Sequence, residues 1–559
     1  MSEPTTKRTT AAAHWILLAY LALAVAAGWQ FVGGAYESEF GGHPDEGAHY
    51  VTGLFVRDAL AALPQCVTTH SLKPLAPFKG KDAEGGFYQH YPKVALGVWP
   101  PAFYVVQSAW TFAFGVSRIS ILLLMAALAA AVATVLYRAV RTEFGTWPAA
   151  AAGLLWLCSP LIRESYGMVM AEMLSTLTMF GATLAWGRYL DDRRMRDAVL
   201  FGVLAGTAIL TKGTGLALAV MVLLSVVFSR RWGVLKARGT WAGAALVAIL
   251  AGPWTWIFRA EGTKVGGWAD NSGGLSLEFT KEAVLYYGGK LAFALGIAVA
   301  AFALVGFGAR CFRSGPRSGR WAALGGLVAG VFAFQCLLPV GLEARHLISA
   351  TPALLLLALA GLQWIARLPG LRVAGAEQVR REHLWVVLMV LLTLPMQVSQ
   401  IEKKGDTGFA PVAEYLLARA QPGSRILISS DASGEGMFIS EVAMHDHRPN
   451  LFIERASVSL VDESSKKWNG RDLRERFLED EDLLAYLTSG KIDYIVIDDT
   501  MLESKRSSYH DQIKRVVTDS GVPNPTGRTF WKIDDFPISR DNEATPPPIR
   551  LYRVTEQRQ

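Results

Sequence analysis

Apolar runs of roughly 16 to 22 residues recur from Trp15 to about Gln400, separated by short charged turns. Each is long enough to cross a hydrocarbon core of about 30 Å as a helix. A backbone inside hydrocarbon must satisfy its own hydrogen bonds, which a helix does. The chain of 559 residues is only 18% charged and 51% hydrophobic, against about 25% charged for a soluble domain. A soluble enzyme, a disordered chain and a small disulfide scaffold are excluded. The expected architecture is a polytopic α-helical membrane protein of about eleven transmembrane helices. Residues 1–400 form the membrane domain, with a long first outer loop over 34–117. Residues 401–559 form a soluble extracytoplasmic α/β domain.

The formal charge of +7 does not indicate a nucleic-acid partner, because the basic residues collect in alternate turns, the pattern that orients helices in a membrane. Lys7 and Arg8 precede the first run and place the N-terminus in the cytoplasm. A signal peptide also starts this way; the run continues to Gly34, which favours an uncleaved helix. Two amphipathic stretches in the first outer loop, Glu46 to Leu63 and Pro101 to Phe114, are expected to lie on the outer membrane surface. With neither crossing, Arg138 and Arg141, Arg188 to Arg196, Arg230 to Arg238, Arg310 to Arg320 and Arg367 to Arg381 all fall inside. A last helix at about 384–399 then exits, so the protein is a multi-pass protein of the inner (plasma) membrane with its C-terminal domain outside the cytoplasm. In that domain, Arg425–Ser429, Tyr494–Asp498 and Ile549–Arg553 read as strands, and Val412–Ala420 and Leu473–Leu487 as helices. The four cysteines show no metal-ligand spacing or disulfide pattern.

The first outer loop opens with Gly41-Gly-His-Pro-Asp-Glu-Gly-Ala-His-Tyr50. Asp45 at a helix start can be an N-cap or a catalytic carboxylate, and the sequence weighs these evenly. Other ionisable groups gather at the same outer surface: Arg163, Glu164 and Glu172, then Thr211-Lys212-Gly-Thr-Gly215, then Glu343-Ala-Arg-His346. Any one of them alone reads as interfacial snorkelling. Together they describe a cleft suited to a lipid phosphate. Gly206 to Lys212 is not a phosphate-binding P-loop, since no strand precedes it. His43, His49, His70 and His90 share the first outer loop, and their uneven spacing makes only a weak case for a metal site. Asp431, Glu435, His445, Asp446 and His447 read as solvated loop residues.

These motifs resemble the GT-C membrane glycosyltransferases, in the branch of protein O-mannosyltransferases and lipid A aminoarabinose transferases. The resemblance covers about residues 10–365. It rests on Asp45-Glu46, Trp99-Pro-Pro-Ala-Phe-Tyr104, Ser159-Pro-Leu-Ile-Arg163 followed by Glu172, Leu210-Thr-Lys-Gly213, Gly252-Pro-Trp254 and Ala344-Arg-His-Leu-Ile-Ser-Ala-Thr-Pro352. It implies transfer of a sugar from a polyprenyl-phosphate carrier to a lipid, glycan or protein hydroxyl on the non-cytoplasmic face. Asp45 would be the catalytic carboxylate beside Glu46. Lys212 and Arg345 would meet the carrier phosphate, with Glu172, His49, Lys93 and Arg163 as further substrate-binding candidates. Two positions depart from the pattern: Trp99 stands where lipid A-modifying relatives carry a cation, with Lys93 the nearest one, and Glu172 stands where Asp is common. Cofactor use is left unassigned, a divalent cation being compatible.

The residues themselves support this chemistry. A phosphate is a good leaving group that needs positive charge, and the acceptor hydroxyl needs a base. One carboxylate plus cations suffices, unlike the paired carboxylates of a glycosidase, and the expected outcome is inversion. The alternative of another class is a transporter or lipid-carrier flippase, which would require charges through the membrane and paired broken helices. Neither is visible in the sequence. A non-catalytic scaffold would leave the Asp45 group unexplained.

Overall fold

The computed structural model describes residues 4–80, 85–264, 276–312, 318–338, 341–367, 404, 408–446, 450–462, 474–518, 528–538 and 547–556. The expected last span at 384–399, together with Arg313, Arg317, Arg372, Arg380, Arg381 and His447, lies outside them. In chain order the main helices are α1 (Pro4–Val32), α2 (Glu46–Thr69), α3 (Ala102–Phe114), α4 (Arg118–Phe144), α5 (Thr146–Cys158), α6 (Pro160–Tyr166) and α7 (Glu172–Asp192). They continue with α8 (Met195–Thr211), α9 (Ala217–Ser229), α10 (Arg238–Lys264), α11 (Leu277–Ala294), α12 (Ile297–Phe307), α13 (Gly319–Leu337) and α14 (Thr351–Ala366). The C-terminal elements are α15 (Phe409–Arg419), β1 (Arg425–Ser429), α16 (Ala432–His445), β2 (Phe452–Arg455), α17 (Asp480–Thr488), β3 (Tyr494–Asp498), α18 (Ser508–Thr518), β4 (Arg528–Phe536) and β5 (Ile549–Glu556).

Five stretches, His14–Val32, Arg118–Phe144, Arg238–Ile257, Gly319–Leu337 and Ala344–Ala366, are long and apolar enough to cross a membrane, and three shorter apolar helices accompany them. The chain falls into two compact units. One comprises Met1–Gly33, Gly97–Phe103 and Leu122–Glu402; the other comprises Gly34–Leu96, Tyr104–Ile121 and Lys403–Gln559.

In the first unit, small residues let helices approach closely, as apolar bundles in lipid require. A Cβ on Gly306 of α12 would fall 1.9 Å from the Leu357 carbonyl of α14, and one on Gly361 of α14 would fall 2.0 Å from the Phe302 carbonyl of α12. Indole N–H groups tie other helices: Trp156 donates to the Thr351 hydroxyl (2.9 Å) and Trp186 to the Ser225 hydroxyl (2.8 Å). The buried Gln30 amide donates to the carbonyls of Leu122 (2.8 Å) and Tyr166 (2.7 Å).

The helices depart from the sequence expectation at two breaks. The third expected span stops at Cys158 because Pro160 cannot continue it and opens α6 instead. Glycine at 296 (φ 93°) separates α11 from α12. The two breaks meet: the Ser159 hydroxyl donates to the Ala294 carbonyl at 2.6 Å, satisfying a group that the end of α11 leaves open.

In the second unit, the outer-loop segments and the C-terminal domain fold together. The sheet has the order β2-β1-β3-β5-β4, with β2, β1 and β3 parallel and β5 and β4 antiparallel. The central strands β1 and β3 are almost wholly buried, which is why they read as unbroken apolar runs. Side chains alternate across them: Leu427, Ile495 and Ile497 pack with Leu483, Leu487, Tyr509 and Ile513 of α17 and α18. Helix α2 runs six residues past its expected end at Leu63, through Pro64. Its second half is largely exposed, so the carbonyl displaced by the proline ring can be solvated. Cys66 therefore sits on this helix rather than in a loop, and all four cysteines are free.

The expected solvated cluster of the C-terminal domain is corrected. Asp431 caps α16, accepting from the N–H groups of Ser433 (3.0 Å) and Gly434 (2.8 Å). Glu435 is fully buried and pairs with Arg455 (2.6 Å), and Asp446 accepts from the Tyr91 hydroxyl (3.0 Å).

His510 on α18 is buried, its Nδ1 2.8 Å from the Ser429 hydroxyl of β1, and burial holds its pKa down to about 4. Above the unfolded value of about 6.5 the ring is neutral in both states. Between 6.5 and 4 the unfolded chain takes up a proton that the folded chain refuses, so stability falls as pH falls. Thermal unfolding of the purified protein at pH 7.5 and 5 should show a loss at the lower pH, of which about 2 kcal/mol disappears in His510→Gln.

Candidate functional site

The residues singled out in the sequence are divided between the two units, and each group has its own geometry. In the second unit the chain leaves α1 through Gly34 (φ 68°), where a Cβ would fall 2.8 Å from the Lys404 carbonyl. Glu39 then turns its carboxylate onto the start of α15, accepting from the N–H groups of Gly408 (2.7 Å), Phe409 (3.1 Å) and Ala410 (3.2 Å) with one oxygen. A carboxylate at a helix N-terminus is favoured by both the open donors and the dipole.

The turn that follows is tightly built. The Glu46 carboxylate, buried, accepts from the Gly42 N–H at 2.9 Å and lies 3.9 Å from Lys404. The Asp45 N–H donates to His43 Nδ1 at 3.1 Å. That nitrogen is then an acceptor, so the 3.6 Å approach between His43 and the Asp45 carboxylate involves a ring protonated on its other nitrogen. Asp45 occupies the N-cap position of α2 in a helical backbone conformation, but its side chain makes no cap hydrogen bond. Its side chain is 37% exposed. The cap reading therefore fails in its defining contact.

Around it, His49 is buried with Nδ1 2.8 Å from the Tyr104 hydroxyl, its ring stacked on the tyrosine. Lys93 donates to the Ala432 carbonyl at 2.7 Å. Burial, and secondarily the Arg455 charge, bring its pKa down to about 8, while the carboxylates of Glu435, Asp45 and Asp431 oppose the shift. Lys93 is thus electrostatically coupled to Asp45.

In the first unit, Glu172 is the first residue of α7 and almost fully buried. Lys212 ends α8 in an extended conformation, and the chain folds back through Gly213–Leu216. Gly215 is required there, since a Cβ would sit 2.6 Å from the Ala208 backbone. This turn brings the Lys212 ammonium 2.6 Å from the Glu172 carboxylate. The Arg345 guanidinium reaches the same carboxylate at 3.4 Å and closes on Glu343. The neighbouring His346 lies 2.9 Å, through Nδ1, from the Tyr287 hydroxyl. Glu172, Lys212 and Arg345 therefore form one network. Arg163 stacks on Trp29 instead, 4.5 Å from the ring centre, as a cation on an aromatic face. Among the described residues this network brings together two carboxylates and two cations.

Tyr104, Tyr287, Glu39 and Glu343 complete these surroundings. Glu343 lay in a motif; Glu39 carries no local signal, because its partners are almost 370 residues away. Among the described residues no group of three or more His, Cys, Asp or Glu side chains is arranged to hold a metal ion.

Breaking the Glu172–Lys212 pair should be asymmetric. Lys212→Met strips the nearest cation from a buried carboxylate, at a cost of about 3 kcal/mol. Glu172→Gln leaves a partly exposed ammonium and costs about 1 kcal/mol. Thermal unfolding in detergent measures both, and equal losses would contradict the pairing.

The comparisons agree with this architecture. Residues 98–257 match the family model described as dolichyl-phosphate-mannose-protein mannosyltransferase. No curated protein sequence matches the chain. Among solved structures, ArnT from Cupriavidus metallidurans in the apo state is similar at 14% identity and a TM-score of 0.57, over 97% of this chain and 98% of that one. The Archaeoglobus fulgidus oligosaccharyltransferase, tethered with an acceptor peptide, is similar at 15% identity and 0.52, over 87% and 69%. The arabinofuranosyltransferase AftD from Mycobacteria is similar at 15% identity and 0.50, over 96% and 41%. The resemblance read from the motifs stands: the chain has the fold of the GT-C membrane glycosyltransferases.

Proposed function

We propose that the protein transfers a sugar from a polyprenyl-phosphate carrier to an acceptor hydroxyl on the non-cytoplasmic face of the plasma membrane, with inversion at the anomeric carbon. The observation that carries this reading is Asp45: a carboxylate at a helix start, partly exposed, that does not spend itself on the cap. The matched family model and the fold support a polyprenyl-phosphate carrier and a glycosyl transfer.

In this mechanism Asp45 accepts the proton of the acceptor hydroxyl as its oxygen attacks the anomeric carbon. The bond from that carbon to the phosphate oxygen breaks, and the electron pair leaves with the polyprenyl phosphate. Lys212 and Arg345 take up the charge that develops on that phosphate, and Glu172 holds both cations ready. Glu46 keeps the turn closed through Gly42, Lys93 adds positive charge beside Asp45, and His49 shapes the wall with Tyr104. The acceptor is a lipid, glycan or protein hydroxyl.

The transporter reading draws on the two helix breaks, since broken helices aim open backbone groups at their cargo. Here the Ala294 carbonyl at one break is already taken by Ser159 at the other, which argues against that use.

Radiolabelled polyprenyl-phosphate sugars offered to membranes should label an acceptor with wild type, and transfer should fall about 10³-fold in Asp45→Asn. Undiminished transfer by that variant would overturn the assignment. Uptake of label into vesicles without covalent transfer would favour the transporter.

A further inference from the structure

The turn bearing Asp45 rests against α16 at both of its ends. Gly41 meets the Met437 side chain so closely that a Cβ would fall 2.4 Å from its sulfur, and Gly47 meets the Gly436 carbonyl, where a Cβ would fall 2.5 Å away. A side chain at Gly47 would have to push back the α16 backbone, whereas one at Gly41 would displace the Met437 side chain. Asp45 lies between these two contacts, so its place follows that of α16.

The same helix carries a buried ion pair. Glu441 lies one turn beyond Met437 on the same helix face. Its carboxylate is fully buried and receives the Arg118 guanidinium at 2.5 Å. Arg118 opens α4, directly after the segment that carries Tyr104. His445, one further turn along, approaches the other Glu441 oxygen at 3.6 Å. Glu39 and Tyr50, the residues that bracket the turn, both lie in the electrostatic field of Glu441. One charged pair thus joins the outer-loop segments before and after the turn to the C-terminal domain.

We propose that the Arg118–Glu441 pair is a positioning device that sets the Asp45 carboxylate through α16. The proposal deepens the glycosyltransferase reading and rests on Asp45 as the base. Neither residue touches the reacting atoms. Loss of the pair shifts the base relative to the acceptor, and a misplacement of about 1 Å can cost about a hundredfold in rate. The carrier phosphate is assigned to Lys212 and Arg345, so donor affinity is untouched.

The test uses the full-length protein with two readouts. In Glu441→Gln, kcat should fall about tenfold to a hundredfold with donor KM within about twofold. Arg118→Gln/Glu441→Gln, which leaves no buried charge unpaired, should show the same loss and serves if the single variant does not fold. Independently of activity, Asp45→Cys in a Cys66→Ser background is labelled with a small maleimide, and the Gln substitutions should change the labelling rate at least about threefold (a smaller fraction of a kcal/mol than one hydrogen bond). An unchanged labelling rate, or an unchanged kcat with a raised donor KM, overturns the proposal. If wild type transfers no donor at all, the enzymatic reading fails, while the labelling rate still decides whether the pair positions residue 45.

Discussion

One carboxylate oxygen of Glu39 collects three consecutive backbone N–H groups at the start of α15, and the arrangement of the outer loop depends on that contact. A helix N-terminus offers donors that must find acceptors, and a carboxylate supplied from nearly 370 residues earlier fixes where the chain goes after its first membrane helix. From there the loop has few choices. Gly41 and Gly47 must lie on α16, and the His43 ring and the Glu46 carboxylate close the turn between them. Asp45 is left at the head of α2, its backbone in the helix and its side chain outside the cap. The C-terminal domain is thereby part of the structure that presents Asp45, which gives a physical role to a segment whose own residues suggested none.

The membrane unit follows a different constraint. Its helices are apolar on most faces, so specific contacts come from glycine crossings, indole-to-hydroxyl bonds and a few charged networks. The Glu172–Lys212–Arg345 network is built at helix ends, where α7 begins, α8 stops and α14 is about to start. Helix termini are where a bundle in lipid can place ionisable groups at acceptable cost.

Much of this was legible in the sequence, for identifiable reasons. Hydrophobic runs mark helices in lipid directly, so each expected span up to Ala366 coincides with described helix. Asp45, Glu172, Lys212 and Arg345 stand in short motifs at span ends. The breaks at Pro160 and Gly296, and the bond that joins them, were not read from the apolar runs. What could not be read were pairings across long separations: Glu39 with Gly408, Lys93 with Ala432, Arg118 with Glu441. The solvated reading of the Asp431–Asp446 group failed for the same reason, since Glu435 owes its burial to Arg455 and Asp446 bonds a tyrosine of the distant first loop. Helix α2 outran its proline because local propensity weighs little where the displaced carbonyl can reach water.

A single displacement at the anomeric carbon, as in the proposed mechanism, has one stereochemical consequence. The most direct test is the anomeric configuration of the transferred sugar, read from the proton coupling constant of the product against that of the polyprenyl-phosphate donor. The account predicts inversion. Retention would require a covalent glycosyl-enzyme step and a second, opposed carboxylate, and would contradict it.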